Sequence, residues 1–487
     1  IFLMGDLSYP GGFAHRTHHQ MGERVASVGD VLVTQGNLAA IAGRAALDYG
    51  MIPNQVRMTY SHQDAAAVLR DHLGANDVVL VKGSRMAGME AVVRELLQQD
   101  EDARLLTRQG EVWDRGWAVR SLRASWVEVD LDATAQNVRQ LCDLVGPDVA
   151  LMAMVPADAY GHGAVAIGST AMLNGAAYLG VGSLDEAIAL RNAGIDAPIL
   201  IKGYVSPWAL RDALHHDLTV AIYDLEMARL GNRLAGEMRR QLRVHVNIDT
   251  GMRRLGLLPE QVMDFFRALK LLDNLDVEGI FTELAAAGED DAYTREQLAV
   301  FSEVLMPLLA SEMRFRYIHA ADTTALLMIP ASYFSMVRAG SALYGLAPEA
   351  TIGLPQGFKP ILAWKTVIAQ VKTLPRSGYV GGGKQYWGEA GQRVAVIPVG
   401  YADGLSGNPS PWREVLVHGQ RVPIVGHVGM HEATIALSNA PDARVGDEVV
   451  VIGRQGESVI SVEEVATWLH ASIHQVLSLI LARTTRL

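Results

Sequence analysis

The chain has 487 residues, of which 49% are hydrophobic and 20% charged, as is typical of a globular protein with two or three domains. A net charge of −11 without any basic run argues against a nucleic-acid partner, and no apolar run approaches the roughly 20 residues that span a bilayer. The single cysteine, Cys142, excludes a disulfide framework and fits a reducing cytoplasm. We therefore expect a cytoplasmic protein, and the strand-like opening suggests a fragment of a longer chain.

Residues 1–100 alternate between strand-like and helical patterns, which predicts a small α/β domain with a parallel sheet. Its predicted strands are the apolar runs at 1–4, 31–36, 56–60 and 77–84. Residues 101–123 are charged and have no clear period, so we interpret them as a linker.

Residues 124–362 predict a (β/α)8 barrel. The run 126–131 alternates like a half-buried strand, and Asp132 is placed to cap the amphipathic helix that follows it. Strand-like runs separated by helical patterns begin at Val149, Tyr178, Pro198, Leu218, Arg243, Val277, Tyr317 and Met336. In such a barrel the functional groups lie at the carboxyl ends of the strands. Residues 363–487 alternate at period two between glycine turns, which predicts an all-β domain with a helix near 462–470.

The first barrel strand is followed by the polar, glycine-containing stretch A-D-A-Y-G-H-G at 157–163. Further motifs are N-I-D-T-G-M-R-R-L-G from 247, H-A-A-D-T-T from 319, R-A-G-S-A-L-Y-G from 338 and V-G-Y-A-D-G-L from 399. Together these motifs resemble alanine racemases over residues 124–487. The resemblance implies a cytoplasmic homodimer that interconverts L- and D-alanine on pyridoxal phosphate.

The resemblance implies specific cofactor contacts. Tyr160 and Thr323 would bind the phosphate through their hydroxyls, and Gly340 and Ser341 through their backbone N–H groups. On the ring side, Arg338 would donate to the pyridine nitrogen and Arg254 would lie near the ring oxygen.

The same comparison implies that Tyr401 reaches in from the partner subunit as one acid/base, and that Met430 contacts the substrate. This sequence departs from the family pattern at the catalytic centre. The lysine that holds the cofactor and acts as the second base is Pro156 here, and proline has no amine. The other departures are Asn247 for a carbamylated lysine, Glu283 for a histidine, and His427 and His431 for an arginine and an aspartate.

Lys202 ends the third barrel strand and is a candidate replacement for the missing anchor, because a buried lysine can act as an amine nucleophile. The alternatives are a lysine that extends to solvent or one that pairs with Glu283 or Asp249.

Two segments of the first domain, G-D-L from 5 with Glu23 and V-L-V-K-G-S-R from 79 with Glu90, resemble the C-terminal domain of a Mur ligase of the D-alanyl-D-alanine-adding type. The printed sequence contains no phosphate loop, so the ligase part is expected to be incomplete here.

Three hypotheses follow. The first is an alanine racemase-like enzyme with a relocated anchor, fused to a ligase of cell-wall (peptidoglycan) precursor synthesis. The second is a pseudoenzyme that serves as a dimerisation or regulatory module. The third is a different activity on the same barrel, because a fold does not fix a function.

Overall fold

The computed structural model describes residues 1–7, 13–36, 38–59, 62–74, 77–84, 87–97, 102, 106, 124–311, 313–348, 352–407, 411–480 and 484–486. The chain divides into two compact units, residues 1–122 and 123–487. Nearly all of the predicted linker lies outside the described residues. In the described part of the chain, no helix combines the length and the apolar character needed to cross a membrane.

The first unit contains a parallel sheet, as its alternating pattern predicts. Its described strands are β1 (Phe2–Gly5), β2 (Leu32–Gln35), β3 (Val56–Thr59) and β4 (Leu80–Lys82), in the order β3-β2-β1-β4. The helices are α1 (Phe13–Val28), α2 (Ala39–Asp48), α3 (His62–His72) and α4 (Glu90–Leu96). Separate apolar clusters form around Met4 and Leu32 and around Leu3 and Val33, because successive strand residues point to opposite faces of the sheet.

The second unit begins with β5 (Ser125–Val129) and α5 (Leu131–Val145), and the predicted barrel follows. Its strands are β6 (Ala150–Met154), β7 (Tyr178–Val181), β8 (Ile199–Ile201), β9 (Thr219–Ile222), β10 (Leu242–Ile248), β11 (Leu275–Thr282), β12 (Tyr317–His319) and β13 (Met336–Ala339). They pair in parallel and close in sequence order, with β13 beside β6. The predicted (β/α)8 barrel is therefore confirmed.

Helical segments connect the barrel strands and cover them. They are α6 (Pro156–Gly161), α7 (Ala164–Leu173), α8 (Leu184–Asn192), α9 (Leu210–His215), α10 (Leu225–Glu237), α11 (Val262–Leu269), α12 (Asp291–Ala310) and α13 (Thr323–Met328). One predicted cap is wrong: Asp130, not Asp132, caps α5, since the Asp130 carboxylate accepts from the Ala133 amide at 2.8 Å.

The C-terminal part is an antiparallel β domain, as predicted. Its strands are β14 (Leu362–Val367), β15 (Gln370–Thr373), β16 (Gly378–Val380), β17 (Tyr386–Gly388), β18 (Arg393–Ile397), β19 (Glu414–Val417), β20 (Gln420–Val425), β21 (Ala433–Ala436), β22 (Glu448–Gln455), β23 (Ser458–Ile460) and β24 (Thr485–Arg486). Two helices, α14 (Val462–Leu469) and α15 (Ile473–Leu479), lie near its end. Strand β5 lies between β14 and β24, so the segment before the barrel belongs to this sheet.

Candidate functional site

The segment after the first barrel strand is a left-handed helical turn. Four successive residues, 157–160, have φ values between 51° and 55°, and Gly161 continues with φ 80°. The left-handed conformation costs an L-residue roughly 1–2 kcal/mol, so the surrounding structure has to hold this turn. The sequence predicted a polar, glycine-containing turn here, but none of residues 157–160 is a glycine, so its left-handed conformation was not expected.

Side chains outside the turn and within it supply that support. The carboxylate of Glu186 accepts from the Ala157 amide at 2.7 Å and from the Gly182 amide at 2.8 Å. Asp158 accepts from the Ala164 amide at 2.7 Å and so holds the start of the next helix. The buried His162 places Nδ1 2.8 Å from the Ala159 carbonyl. The turn is thereby tied to strand β7 and to helix α7.

The turn directs Tyr160 to the mouth of the barrel, where its hydroxyl lies beside Thr323 and Gly340. The Gly340 amide donates to Thr323 Oγ1 at 2.8 Å. A Cβ atom at Gly340 would lie 3.4 Å from the Tyr160 hydroxyl and 3.6 Å from Thr323 Oγ1, so the missing side chain leaves an open space between the two hydroxyls. We call Tyr160, Thr323, Gly340 and Ser341 the cradle. The structure brings Tyr160, Thr323 and Gly340 together, and their binding of a phosphate stays a prediction.

Tyr160 is held as a neutral phenol. Burial, aided by the carboxylates of Asp322 and Glu186, raises the pKa of Tyr160 to about 12. Its ring packs edge-on against Tyr344 at 5.1 Å and His474 at 5.0 Å. Within the described residues, the Tyr160 hydroxyl has no hydrogen-bond partner, so its proton is available to an anion in the open space.

Arg338 lies two residues before Gly340 and is only 2% exposed. It donates to His319 Nδ1 at 2.7 Å, to the Thr282 carbonyl at 3.0 Å and to the Ala320 carbonyl at 2.8 Å. These bonds use three of its five N–H groups and fix the plane of the guanidinium. Arg338 is therefore a rigid cationic donor beside the cradle.

Behind Arg338, a chain of polar side chains continues into the barrel. Burial and the Arg338 charge lower the pKa of His319 well below its usual value, so His319 is neutral and accepts from Arg338. His319 Nε2 lies 2.9 Å from His245 Nδ1, and His245 Nε2 faces Glu278 at 3.6 Å. The Tyr178 hydroxyl donates to Glu278 at 2.9 Å.

Sequence reasoning missed His245, Glu278 and Tyr178. A signal was present, because His245 and Glu278 interrupt the otherwise apolar strand runs R-V-H-V-N-I and V-E-G-I-F. A polar residue in a buried strand needs a partner, and here His245 Nδ1 pairs with His319 and Glu278 accepts from Tyr178.

Pro156 stands at the start of the left-handed turn and offers no amine to the mouth. The lysine that does reach the mouth is Lys202, which forms an ion pair with Glu283, while Arg254 donates to the other Glu283 oxygen at 2.7 Å. Of the alternatives for Lys202, the structure thus selects Glu283. Asp249 is engaged elsewhere, since it accepts from the amides of Gly251 and Arg253.

The charged groups in this cluster shift one another's pKa values. Burial alone would raise the pKa of Glu283, but the neighbouring Lys202 and Arg338 cations hold it at about 2. Burial lowers the pKa of Lys202, and although Glu283 opposes this shift, the positive charges of Arg338 and Arg254 reinforce it. Two cations, Lys202 and Arg254, contact the Glu283 carboxylate, and a third, Arg338, lies near enough to act on it.

Asn247, which replaces the carbamylated lysine of the family pattern, donates to the Leu255 carbonyl at 2.9 Å. It therefore supports the loop that carries Arg254 and makes no described contact with the Arg254 side chain. That side chain remains 63% exposed.

Tyr401 and Met430 lie together in the β domain, away from the cradle. The Tyr401 amide donates to the Gly429 carbonyl at 3.0 Å, and the Ala402 amide donates to Met430 at 3.0 Å. Both side chains are about half exposed, at 50% and 51%. No described hydrogen bond or ring contact joins either side chain to the barrel mouth of its own chain. His427 and His431 are also exposed on this loop.

A closed (β/α)8 barrel together with an antiparallel domain that includes the strand before it is the architecture of the barrel-type racemases. Two family models match this unit: "Alanine racemase, N-terminal domain" over residues 129–348 and "Alanine racemase, C-terminal domain" over 361–487. The chain belongs to the alanine racemase family.

Individual relatives agree with the family models. An alanine racemase of Symbiobacterium thermophilum is 41% identical over 346 residues, covering 71% of this chain and 92% of its own length. One from Desulfovibrio desulfuricans is 37% identical over 365 residues, covering 75% and 98%. The crystal structure of alanine racemase from Bacillus anthracis with bound L-Ala-P superimposes with a TM-score of 0.70 at 33% identity, covering 76% and 95%.

Proposed function

We propose that the second unit binds pyridoxal phosphate in the cradle and interconverts L- and D-alanine. We expect its rate to be far below that of a family member with a lysine at position 156. The observation that carries the proposal is the open space at Gly340 between the hydroxyls of Tyr160 and Thr323. A phosphate group matches this pair of hydroxyls, because both can donate to it.

The ring side of the site also suits this cofactor. Arg338 is held by three hydrogen bonds and retains N–H groups that can donate to a pyridine nitrogen. When bound, pyridoxal phosphate supplies the electron sink that makes removal of an α-proton feasible. The residues of this chain would hold the cofactor at its phosphate and at its ring nitrogen.

The residue at position 156 cannot hold the aldehyde end of the cofactor. Pro156 has no amine, so it can neither bond covalently to the cofactor nor move a proton. Loss of one acid/base group typically costs about 10²–10⁴-fold in rate, which is the basis for the low turnover that we expect.

Proton transfer on the other face is assigned to Tyr401 of a second copy of this chain. Tyr401 is half exposed and makes no described contact with the cradle of its own chain, and Met430 lies beside it on the same surface. This arrangement fits side chains that complete the site of a partner subunit, with Met430 contacting the alanine substrate. We therefore propose a homodimer.

The second candidate is a pseudoenzyme in which the barrel serves as a dimerisation or regulatory module. The Lys202–Glu283–Arg254 cluster favours it, because Arg254 is already paired with a carboxylate and is less available to a substrate. In that case the cradle would bind cofactor without any turnover.

For the first unit we propose a Mur ligase C-terminal domain, with the alanine racemase-like unit as its fusion partner in peptidoglycan precursor synthesis. Its support is the parallel sheet order β3-β2-β1-β4 together with the motif residues at strand ends, Asp6 after β1 and Ser84 after β4. The proposed boundaries are residues 1–100 for this domain, 124–362 for the barrel and 363–487 for the β domain.

Cofactor binding is tested by titrating the full chain with pyridoxal phosphate and with pyridoxal, which lacks the phosphate, and following absorbance and tryptophan fluorescence. We expect saturable binding of pyridoxal phosphate only. Equal and weak responses to the two compounds would contradict the proposal.

Activity is tested by measuring D-alanine formed from L-alanine, for the natural chain and for Pro156→Lys. We expect a low rate in the natural chain and an increase of about 10²–10⁴-fold in the variant. If neither protein makes D-alanine while both retain pyridoxal phosphate, the pseudoenzyme is the better interpretation.

A further inference from the structure

We propose that Lys202 is the residue of this chain that bonds covalently to the aldehyde of pyridoxal phosphate. The inference rests on the proposed cofactor binding by the cradle. It moves the covalent link from the end of strand β6 to the end of strand β8.

Position in the barrel is the first reason. Residues 124–362 contain three lysines, Lys202, Lys270 and Lys359, and of these Lys202 alone directly follows a barrel strand. The Lys202 amide donates to the Val181 carbonyl at 3.0 Å, which fixes its backbone at the rim. Its side chain therefore starts from the end of the barrel where the cradle lies.

The glycines at the rim between Lys202 and position 156 are the second reason. The rim residue between the two is Gly182, where a Cβ atom would lie 3.8 Å from the Pro156 Cβ. The Glu186 carboxylate also reaches this rim, 3.5 Å from where a Gly182 Cβ would lie. Gly203 follows Lys202 and packs against Gly182. A Cβ atom added at Gly203 would lie only 2.1 Å from the Gly182 carbonyl oxygen. No side chain at Gly182 or Gly203 separates the Lys202 amine from the space above Pro156.

The groups around the amine are the third reason. Lys202 contacts Glu283 from strand β11, and the cations of Arg338 from β13 and Arg254 from the loop after β10 lie near enough to act on it. These cations and partial burial disfavour the ammonium form, which an amine has to leave before it can attack a carbonyl. The Lys202 side chain is 27% exposed, so it can release this proton to water.

The reaction balances without a further reagent. The neutral amine nitrogen of Lys202 forms a double bond to the aldehyde carbon, and the aldehyde oxygen leaves as water with the two amine hydrogens. The proton that the ammonium form carried goes to solvent water. No oxidation or reduction occurs, and water reverses the reaction.

The test is reduction of the full chain with borohydride after incubation with pyridoxal phosphate, followed by digestion and mass spectrometry. Borohydride converts the C=N bond to a stable amine, so the pyridoxyl group marks the lysine that carried the cofactor. Lys365 is an internal control, because it is paired with both Glu128 and Glu448 and its pKa is raised. We expect the label on Lys202 and none on Lys365.

Lys202→Met is the matched variant, since Glu283 keeps Arg254 as a partner and the aliphatic stem is retained. We expect this variant to lose the label while it still binds pyridoxal phosphate reversibly, with an unchanged melting temperature as the check on folding. A label on another residue in the natural chain, or reversible binding with no label, would overturn the role of Lys202 and leave the cradle intact. Absence of any binding would overturn the cofactor proposal as well.

Discussion

The guanidinium of Arg338 donates to Nδ1 of His319 across 2.7 Å, and this hydrogen bond connects the barrel mouth to the buried chain that ends at Glu278 and Tyr178. His319 also stacks on Phe281, with ring centroids 4.8 Å apart and planes 3° apart. Arg338 is therefore held in position by residues that would not contact a ligand themselves.

His319→Ala should lower the free energy of unfolding by about 2–4 kcal/mol, because it leaves Arg338 and His245 without a buried partner and removes a stacked ring. Urea unfolding followed by circular dichroism measures the loss. The control is His418→Ala, which removes a half-exposed histidine paired with Asp447 and should cost less than about 1 kcal/mol. Equal losses in the two variants would contradict this role of His319.

Stability should fall below pH 6.5 in part through His162. Burial lowers the pKa of His162 from 6.5 to about 4, so between these values the unfolded chain binds a proton that the folded chain does not. Each pH unit in that window removes about 1.4 kcal/mol, or roughly 3 kcal/mol in total. Above pH 6.5 this contribution is constant.

His162→Asn is the variant for this pH dependence, because an amide can still donate to the Ala159 carbonyl but does not titrate. Unfolding free energies at pH 7, 6 and 5 should show a shallower slope for the variant than for the natural chain. Parallel slopes would show that His162 is not the titrating group, whatever the constant offset between the proteins.

Gly340→Ala should weaken the binding of phosphate-bearing ligands by about ten-fold or more, which is about 1.4 kcal/mol, without lowering stability. The added Cβ would make ordinary contacts at 3.4 and 3.6 Å, so the fold tolerates it, but it occupies the space between the two hydroxyls. Fluorescence titration with pyridoxal phosphate measures the effect. The matched control is Gly353→Ala, where a Cβ meets nothing within 4 Å; equal affinities in the two variants would contradict the cradle.

Tyr401→Phe should leave the unfolding free energy unchanged within about 0.5 kcal/mol, because the side chain is half exposed. In the Pro156→Lys background, the same change should lower D-alanine formation by about 10²–10⁴-fold, since it removes a proton-transfer hydroxyl. Tyr49→Phe, an equally exposed tyrosine of the first unit, is the control. A similar rate in both variants would remove Tyr401 from the mechanism.

The barrel was predictable because each of its strands is a short apolar run followed by a polar group. A strand buried on both faces is apolar throughout and does not alternate between apolar and polar residues. The grouping of Tyr160, Thr323 and Gly340 came from the resemblance of their motifs to alanine racemases, and the structure places these three residues close together. By contrast, the contact of His245 with Glu278 depends on the register of the adjacent strands β10 and β11, and the pairing of Lys202 with Glu283 and not with Asp249 depends on which strand ends face each other across the closed barrel. That geometry is a property of the whole barrel and of no single segment.

The left-handed turn was not predictable for a related reason. Local preference favours a right-handed conformation for Ala157, Asp158, Ala159 and Tyr160, and the tertiary contacts of Glu186 and His162 override it. The outcome is decided by residues distant in sequence, which a local pattern does not contain.

That turn also couples the site to folding. Four left-handed residues at roughly 1–2 kcal/mol each amount to about 4–8 kcal/mol, a sum comparable to the net stability of a whole domain. A partly folded chain that lacks strand β7 or helix α8, with its Glu186, would relax the turn and turn Tyr160 away from Thr323. The cradle therefore forms only when the barrel closes. A destabilised variant would lose its binding site cooperatively, together with the barrel.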